Sequence, residues 1–332
     1  MNDFKFQFPF FIPIAIIILV TTMFSSCTDK KLDDNASNVK ELVVEQIEHN
    51  VTVHHGGEKA FSYVYDEAQF KPYVKELYSP GGVNVLLDSP ADHKHHHGLM
   101  FAVKVDGVNF WEEVEQSGRQ QPQNTIRAIQ VSDEEKSQIS YESTINWIQS
   151  HEEEVLLNEK RSITYTIPKN MDARFLSWTS QLTLAENKSS AQLSGAHYHG
   201  LGMRFIRAMD ENGRFFTAGA KTGTIFRGEE RLIPDIWCAY AANTGGKKQV
   251  TVAMFRDPRN PGEDTVWFTM KKPFAYLSAT RAWHENAFLL RAGETLSLTY
   301  HIAVMDGLAK TNEIENIYDY CLKYNLKKGG LK

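Results

Sequence analysis

The sequence predicts an all-β protein, an antiparallel sandwich or barrel followed by one C-terminal helix. Three observations predict it. Period-two runs rich in Thr, Tyr, Val and Phe recur along the chain. Turn signals separate them, among them Pro80-Gly81-Gly82, Asp106-Gly107, Glu211-Asn212-Gly213, Thr244-Gly245-Gly246, Asp257-Pro258 and Ala292-Gly293. Helical spacing of apolar residues is convincing only near the C-terminus. Alternation places successive side chains on opposite faces, so each run is a half-buried strand. Many short strands with polar turns build sandwiches or barrels.

Taken in order, the elements read as follows. Phe8 to Phe24 is almost wholly apolar and ends in Ser25-Ser26-Cys27. Its Pro9 and Pro13, and a length short of the roughly 20 residues needed to span a bilayer, favour a cleaved signal over a transmembrane anchor. Small residues before a cysteine predict a bacterial lipoprotein signal over residues 1–26, with Cys27 as the lipidated first residue. Residues 27–40 are polar and read as a tether. Residues 41–332, roughly 290 residues, are ample for one large β domain or two small ones, and are read as a single domain. Within it Leu99–Val103, Arg161–Ile167, Phe175–Leu184, Val250–Phe255 and Leu296–Val304 read as strands. Gly200–Arg204 reads as a strand approached closely by another backbone. Thr311–Asn325 reads as the helix, with Ile314, Ile317, Tyr318, Cys321 and Leu322 on one face and Thr311 or Asn312 as its cap.

The net charge of −5 gives no electrostatic case for nucleic acid. The expected membrane contact is through the lipid alone, on the periplasmic or outer side of an outer membrane. Of the three cysteines, Cys238 and Cys321 stand far apart and read as separate buried thiols. No dinucleotide fingerprint, P-loop or Gly-x-Ser-x-Gly elbow occurs.

Four of the twelve histidines fall in Asp92-His93-Lys94-His95-His96-His97-Gly98. Imidazole titrates near neutrality and binds metals, so the cluster suits a metal, a proton transfer or a hydroxyl-rich ligand; an exposed polar loop is the plainer alternative. If the segment is extended, His93, His95 and His97 share one face. The pair His93 and His95 would then bite a divalent metal, with His199, His284 or Glu112 completing the set. A second His-x-His pair, His197 and His199, reads as lying on one strand face and leads into Gly200–Arg204, where Arg204 offers a planar fork for a carboxylate or sugar hydroxyls. Arg281, Trp283 and His284 lie together with Glu285 and suit a sugar-binding surface, or an ordinary hairpin end. Glu112, in Asn109-Phe110-Trp111-Glu112-Glu113, is a candidate acid or base. The candidate catalytic set is His93, His96, Glu112 and His284. The candidate substrate-binding set is His95, Arg204, His199, Trp283 and Arg281.

Lys71-Pro72-Tyr73, the Asp92–Gly98 cluster, Asn109-Phe110-Trp111, Gly200-Leu201-Gly202-Met203-Arg204 and Gly293–Gly307 together resemble the bacterial family labelled "methane oxygenase PmoA". His93, His95 and His96 are the residues that match its motif; Lys94 replaces a usual Pro. A membrane-embedded hydrocarbon oxidase is physically implausible for a chain with a single cleavable apolar segment. The resemblance implies instead a galactose-mutarotase-like β-sandwich acting on carbohydrate, as a hydrolase, lyase or epimerase. A non-catalytic glycan-binding lipoprotein and a metal-dependent oxidoreductase are its rivals. Either carbohydrate or another small polar molecule is the implied partner.

Overall fold

The structure, a computed structural model, describes residues 41–123, 126–151, 153–262 and 265–326. The expected signal, tether and lipidated Cys27 lie outside them. The described residues belong to a unit running from Lys40 to Lys332.

Two large antiparallel sheets form the body. The ten-stranded sheet runs in the order Leu42–Ile47, Asn50–His55, Glu58–Val64, Tyr73–Leu77, Leu99–Ala102, Gly200–Arg204, Tyr276–Thr280, Val266–Met270, Glu230–Pro234 and Thr224–Arg227. The second sheet runs Gly213–Thr217, Trp237–Asn243, Gln249–Arg256, Leu296–Asp306, Arg174–Leu184, Val155–Pro168, Lys136–Ile148 and Arg119–Pro122, with Arg127–Ser132 also paired to Lys136–Ile148. A small four-stranded sheet joins Phe288–Arg291, Ser190–Ser194, Lys104–Val105 and Val108–Asn109. The large antiparallel β-sandwich with one C-terminal helix is thus present.

Alternation explains how the sheets meet. Inward residues interleave as aromatic pairs: Phe61 stacks on Tyr165 at 5.5 Å, Tyr63 meets Trp178 edge-on at 6.5 Å, and Phe205 lies 5.0 Å from Tyr240. Such pairs combine large buried apolar area with favoured ring geometry. The middle strands are longer than the sequence reading made them. Val155–Pro168 spans 14 residues because its inward row continues through charged Glu159 and Arg161, both fully buried.

The outer face of the nine-stranded sheet carries the helix, Thr311–Leu326. Ala239 pairs with Ala253 and Ala253 with Ala303, which makes a shallow trough of small side chains across three strands. Ile314, Ile317 and Cys321 pack there against Phe175, Trp237 and Phe255. The expected cap differs: the Glu313 carboxylate accepts the Lys310 N–H at 2.7 Å, and neither Thr311 nor Asn312 shows a side-chain cap. Reaching back from the third helical position satisfies a donor that the first turn leaves open. Cys238, under the sandwich core, and Cys321, on the helix, form no disulfide.

Candidate functional site

The outer face of the ten-stranded sheet holds a cavity of about 390 Å³. Its floor is built by register. Arg204 lies opposite Tyr276 and Met270 opposite Tyr276, while Gly202 and Phe268 flank Ser278 one step along. Phe268, Met270 and Tyr276 line the cavity. Gly202 is dictated by them: a Cβ there would lie 2.0 Å from the Tyr276 hydroxyl and 2.8 Å from Trp111.

The histidine cluster forms one rim, and its conformation corrects the extended reading. Asp92 to His97 lies in turns closed by His93 N–H to Pro90 O and His96 N–H to His93 O, both 2.9 Å. Ser89 N–H donates to His96 O at 2.9 Å and pins the loop to its own base. Turns break the two-residue period, so His97 does not share a face with His93 and His95. Instead His93, His95 and His96 line the cavity, with His93 stacked on His96 at 4.6 Å. Gly98 then enters the sheet, where a Cβ would stand 2.3 Å from the Val74 carbonyl.

His97 turns away into a buried network. It donates to Asp88 at 2.7 Å and to Glu113 at 3.0 Å, and stacks on Tyr73 at 4.2 Å. Burial opposes its charge, but the two carboxylates outweigh burial and raise its pKa. An imidazole donating from both nitrogens is the protonated form. Lys71, fully buried, donates to Glu113 at 2.5 Å and to the Trp111 carbonyl at 3.1 Å. Burial pulls its pKa down, against Glu113. This network bolts three sequence motifs together: Lys71–Tyr73, the histidine loop and Asn109–Glu113.

The Asn109 carboxamide oxygen accepts the N–H groups of Trp111 at 2.9 Å and Glu112 at 3.3 Å. This side-chain-made turn buries Trp111 and sends Glu112 into the cavity. The Glu112 carboxylate lies 3.3 Å from His95 Nδ1. Burial lowers the His95 pKa despite Glu112. His96 is more extreme: burial, then the neighbouring His95, His93 and Arg204, push it down to about 2.

The opposite wall was not legible. Glu230 lines the cavity, is buried, and accepts from His197 at 3.1 Å and Arg227 at 2.7 Å. Tyr198, Pro273 and Phe274 complete the walls. Tyr198 sits inside the His197-x-His199 pair, but Glu230 and Pro273-Phe274 lie in segments far apart in sequence that no motif marks. The His197 and His199 pair is also corrected. It lies in a turn closed by His199 N–H to Ala196 O at 3.0 Å, not on a strand, and the two rings part. His197 faces Glu230. His199 is buried and stacked on Trp111 at 4.8 Å, and burial takes its pKa down to about 3.

Arg204 is buried behind Phe274, with its guanidinium 3.5 Å from the ring centre. His284 stands outside the lining, 6.1 Å from Phe226. Trp283 stacks on Phe288 at 5.8 Å, and Arg281 donates to the Pro261 carbonyl; neither lines the cavity. The segment holding them is not a hairpin end, because Tyr276–Thr280 and Phe288–Arg291 belong to different sheets. For a metal on His93 and His95, further donors are needed. Among the described residues no group of three or more His, Cys, Asp or Glu side chains is arranged to hold an ion.

The chain resembles several solved structures at low identity. The GH36 alpha-galactosidase AgaB of Geobacillus stearothermophilus is 10% identical, with 80% of this chain and 41% of that one covered and a TM-score of 0.47. The alpha-galactosidase of Lactobacillus brevis is 8% identical, with 84% and 41% covered and a TM-score of 0.42. A Klebsiella pneumoniae protein assigned as an aldose 1-epimerase is 10% identical, with 86% and 87% covered and a TM-score of 0.40. The chain thus spans 41% of the length of these galactosidases. No curated protein matches it. No matching family model carries the methane oxygenase label. Residues 50–319 match the model described as a family of unknown function, DUF6807, and the chain belongs to that family.

Proposed function

We propose that the protein acts on carbohydrate, as a hydrolase, lyase or epimerase, in the cavity on the outer face of the ten-stranded sheet. One observation carries this reading. Two carboxylate–histidine pairs, Glu112 with His95 at 3.3 Å and Glu230 with His197 at 3.1 Å, bring their carboxylates to the lining of one cavity with aromatic walls. Aromatic faces accept the C–H face of a sugar ring, and carboxylates and imidazoles accept its hydroxyls. Acid–base work on a sugar needs one group that gives a proton and one that takes it. The two pairs supply both. His96, kept neutral at working pH, serves as a hydrogen-bonding wall and not as the base.

The test is product analysis with a glycan panel. Glu112→Gln and Glu230→Gln are expected to cut turnover on the order of a hundredfold or more while binding survives. A glycan bound and recovered unchanged makes the protein a binding lipoprotein. Absence of any glycan binding sinks the reading.

We infer from the apolar run and Ser25-Ser26-Cys27 that the domain is held by lipid at an outer membrane. Cys27→Ala should abolish fatty-acid labelling and move the protein to the soluble fraction. Continued labelling would refute the anchor.

A further inference from the structure

Among the described residues, every charge around the cavity has a hydrogen-bonded or ionic partner, and the Arg204 guanidinium has the longest and weakest of them. Asp92 accepts from Arg207 at 2.8 Å and from His93 at 3.0 Å. Glu112 has His95, and Glu230 has Arg227 and His197. Arg204 stands apart from these because none of its contacts is a hydrogen bond. It is 1% exposed, yet Nε, Nη1 and Nη2 have no hydrogen-bond partner, and its nearest carboxylate, Asp92, stands off at 3.6 Å. Buried donors are normally satisfied, and a guanidinium left unmet is among the most costly to bury. Two more orphaned polar atoms lie nearby, the Tyr276 hydroxyl and His96 Nδ1. His96 and Tyr276 both line the cavity, with ring centres 5.2 Å apart. The Tyr276 hydroxyl lies over Gly202 beside Trp111, so these unmet groups belong to the cavity floor and wall.

The Phe274 ring lies between the cavity and the guanidinium. Phe274 lines the cavity on one side and covers Arg204 on the other. Removing that ring from between them would open a pocket whose floor is a planar five-donor fork. That fork matches a carboxylate bidentately.

We propose that the cavity takes a sugar acid, whose carboxylate seats on Arg204 as the Phe274 ring swings aside. This rests on the carbohydrate reading and narrows it to uronate-containing glycans. The guanidinium gains the hydrogen-bond acceptor it lacks, and the unmet Tyr276 hydroxyl and His96 Nδ1 are donors or acceptors for the rest of the ring. The two carboxylates facing Arg204 are committed elsewhere: Asp92 to Arg207 and His93, and Asp210 to the Ala275 N–H at 2.7 Å, so neither hydrogen-bonds the guanidinium.

The experiment compares uronate oligosaccharides with the same oligomers whose carboxyl groups have been reduced to alcohols. Binding is titrated to the full chain held in detergent. The acids are expected to bind roughly ten- to hundredfold tighter, as a charge-assisted pair implies. Arg204→Met should remove that preference, so that acid and reduced oligomers bind alike, with an unchanged circular-dichroism spectrum and cooperative urea unfolding showing that the variant is folded. Arg204→Lys should keep part of the preference, since charge remains and the fork is lost. Phe274→Ala should strengthen the acids selectively. Equal binding of acid and reduced forms, or a preference that survives Arg204→Met, overturns the proposal while the carbohydrate reading stands. Failure of the uronates alongside binding of a neutral glycan does the same. Failure of every glycan removes both.

Discussion

Glu159→Gln is the sharpest test of how the sandwich interior is held. The Glu159 carboxylate is fully buried and accepts four donors: Arg161 Nε and Nη2 and Trp147 Nε1, each at 2.8 Å, and Ser180 Oγ at 2.6 Å. Arg161 is completed by Gln120 at 2.8 Å and the Pro72 carbonyl at 3.0 Å, and lies over the Trp178 ring. Glutamine keeps one acceptor oxygen and turns the other into a donor. Two of the four donors then face an N–H₂ group, and the Arg161 charge loses its counter-ion. Each orphaned buried donor costs about 1–3 kcal/mol, which agrees with the roughly 3–5 kcal/mol seen when one member of a buried ion pair is removed. Urea unfolding should therefore show about 4 kcal/mol lost, a large share of the roughly 5–15 kcal/mol typical of folded proteins. Arg161→Met should cost a similar amount. The double variant Glu159→Leu/Arg161→Met should cost clearly less than the sum, because no charge is left stranded. A loss below about 1 kcal/mol for Glu159→Gln, or additive costs in the double variant, refutes the reasoning.

Three further outcomes follow from the geometry. Gly202→Ala should destabilise the chain by about 1–3 kcal/mol in chemical unfolding, since the new methyl meets the Tyr276 hydroxyl and Trp111; wild-type stability would disprove the close approach. Burial disfavours the Asp257 carboxylate, but hydrogen bonds from Arg259 and His301 outweigh it and hold its pKa well below the ordinary range. A depressed carboxylate stabilises above its unfolded value and loses that contribution as pH falls through the folded one. Stability should thus drop steadily below about pH 4, and Asp257→Asn should flatten that slope; an unchanged slope counts against the assignment. Burial also raises the thiol pKa values of Cys238 and Cys321. Both should resist a thiol reagent until urea unfolds the chain, and rapid native labelling of either contradicts its burial.

The β architecture was legible because alternation is a local signal. Leu296 to Val304 shows it without interruption, and that strand runs to Asp306. The signal failed where inward positions carry charge. Glu159 and Arg161 occupy core-facing places in Val155–Pro168, so polarity suggested an end, but Trp147, Ser180 and Gln120 from other strands meet both charges. At the site, the histidine cluster was visible as composition, and its three motif-matching members do line the cavity. Their arrangement was not visible, since it depends on turn bonds to Pro90 and Ser89. Glu230, Phe274 and Tyr276 were invisible for a different reason. Only the pairing of strands distant in sequence sets them beside the histidines.

The two walls of the cavity differ in what holds them. The histidine rim is clamped by buried ion pairs through Lys71, Glu113 and His97. The far wall hangs on Thr224–Arg227, the terminal strand of its sheet, where all four residues are exposed and only one side is paired. Opening free energies within a fold scale with such local burial. Amide exchange should therefore be fastest in this strand, by a margin that ligand binding narrows. One wall thus keeps Glu112 and His95 in register for the lifetime of the fold. The other breathes many times in that interval, so ligand residence time is set by a hairpin and not by the stability of the sandwich.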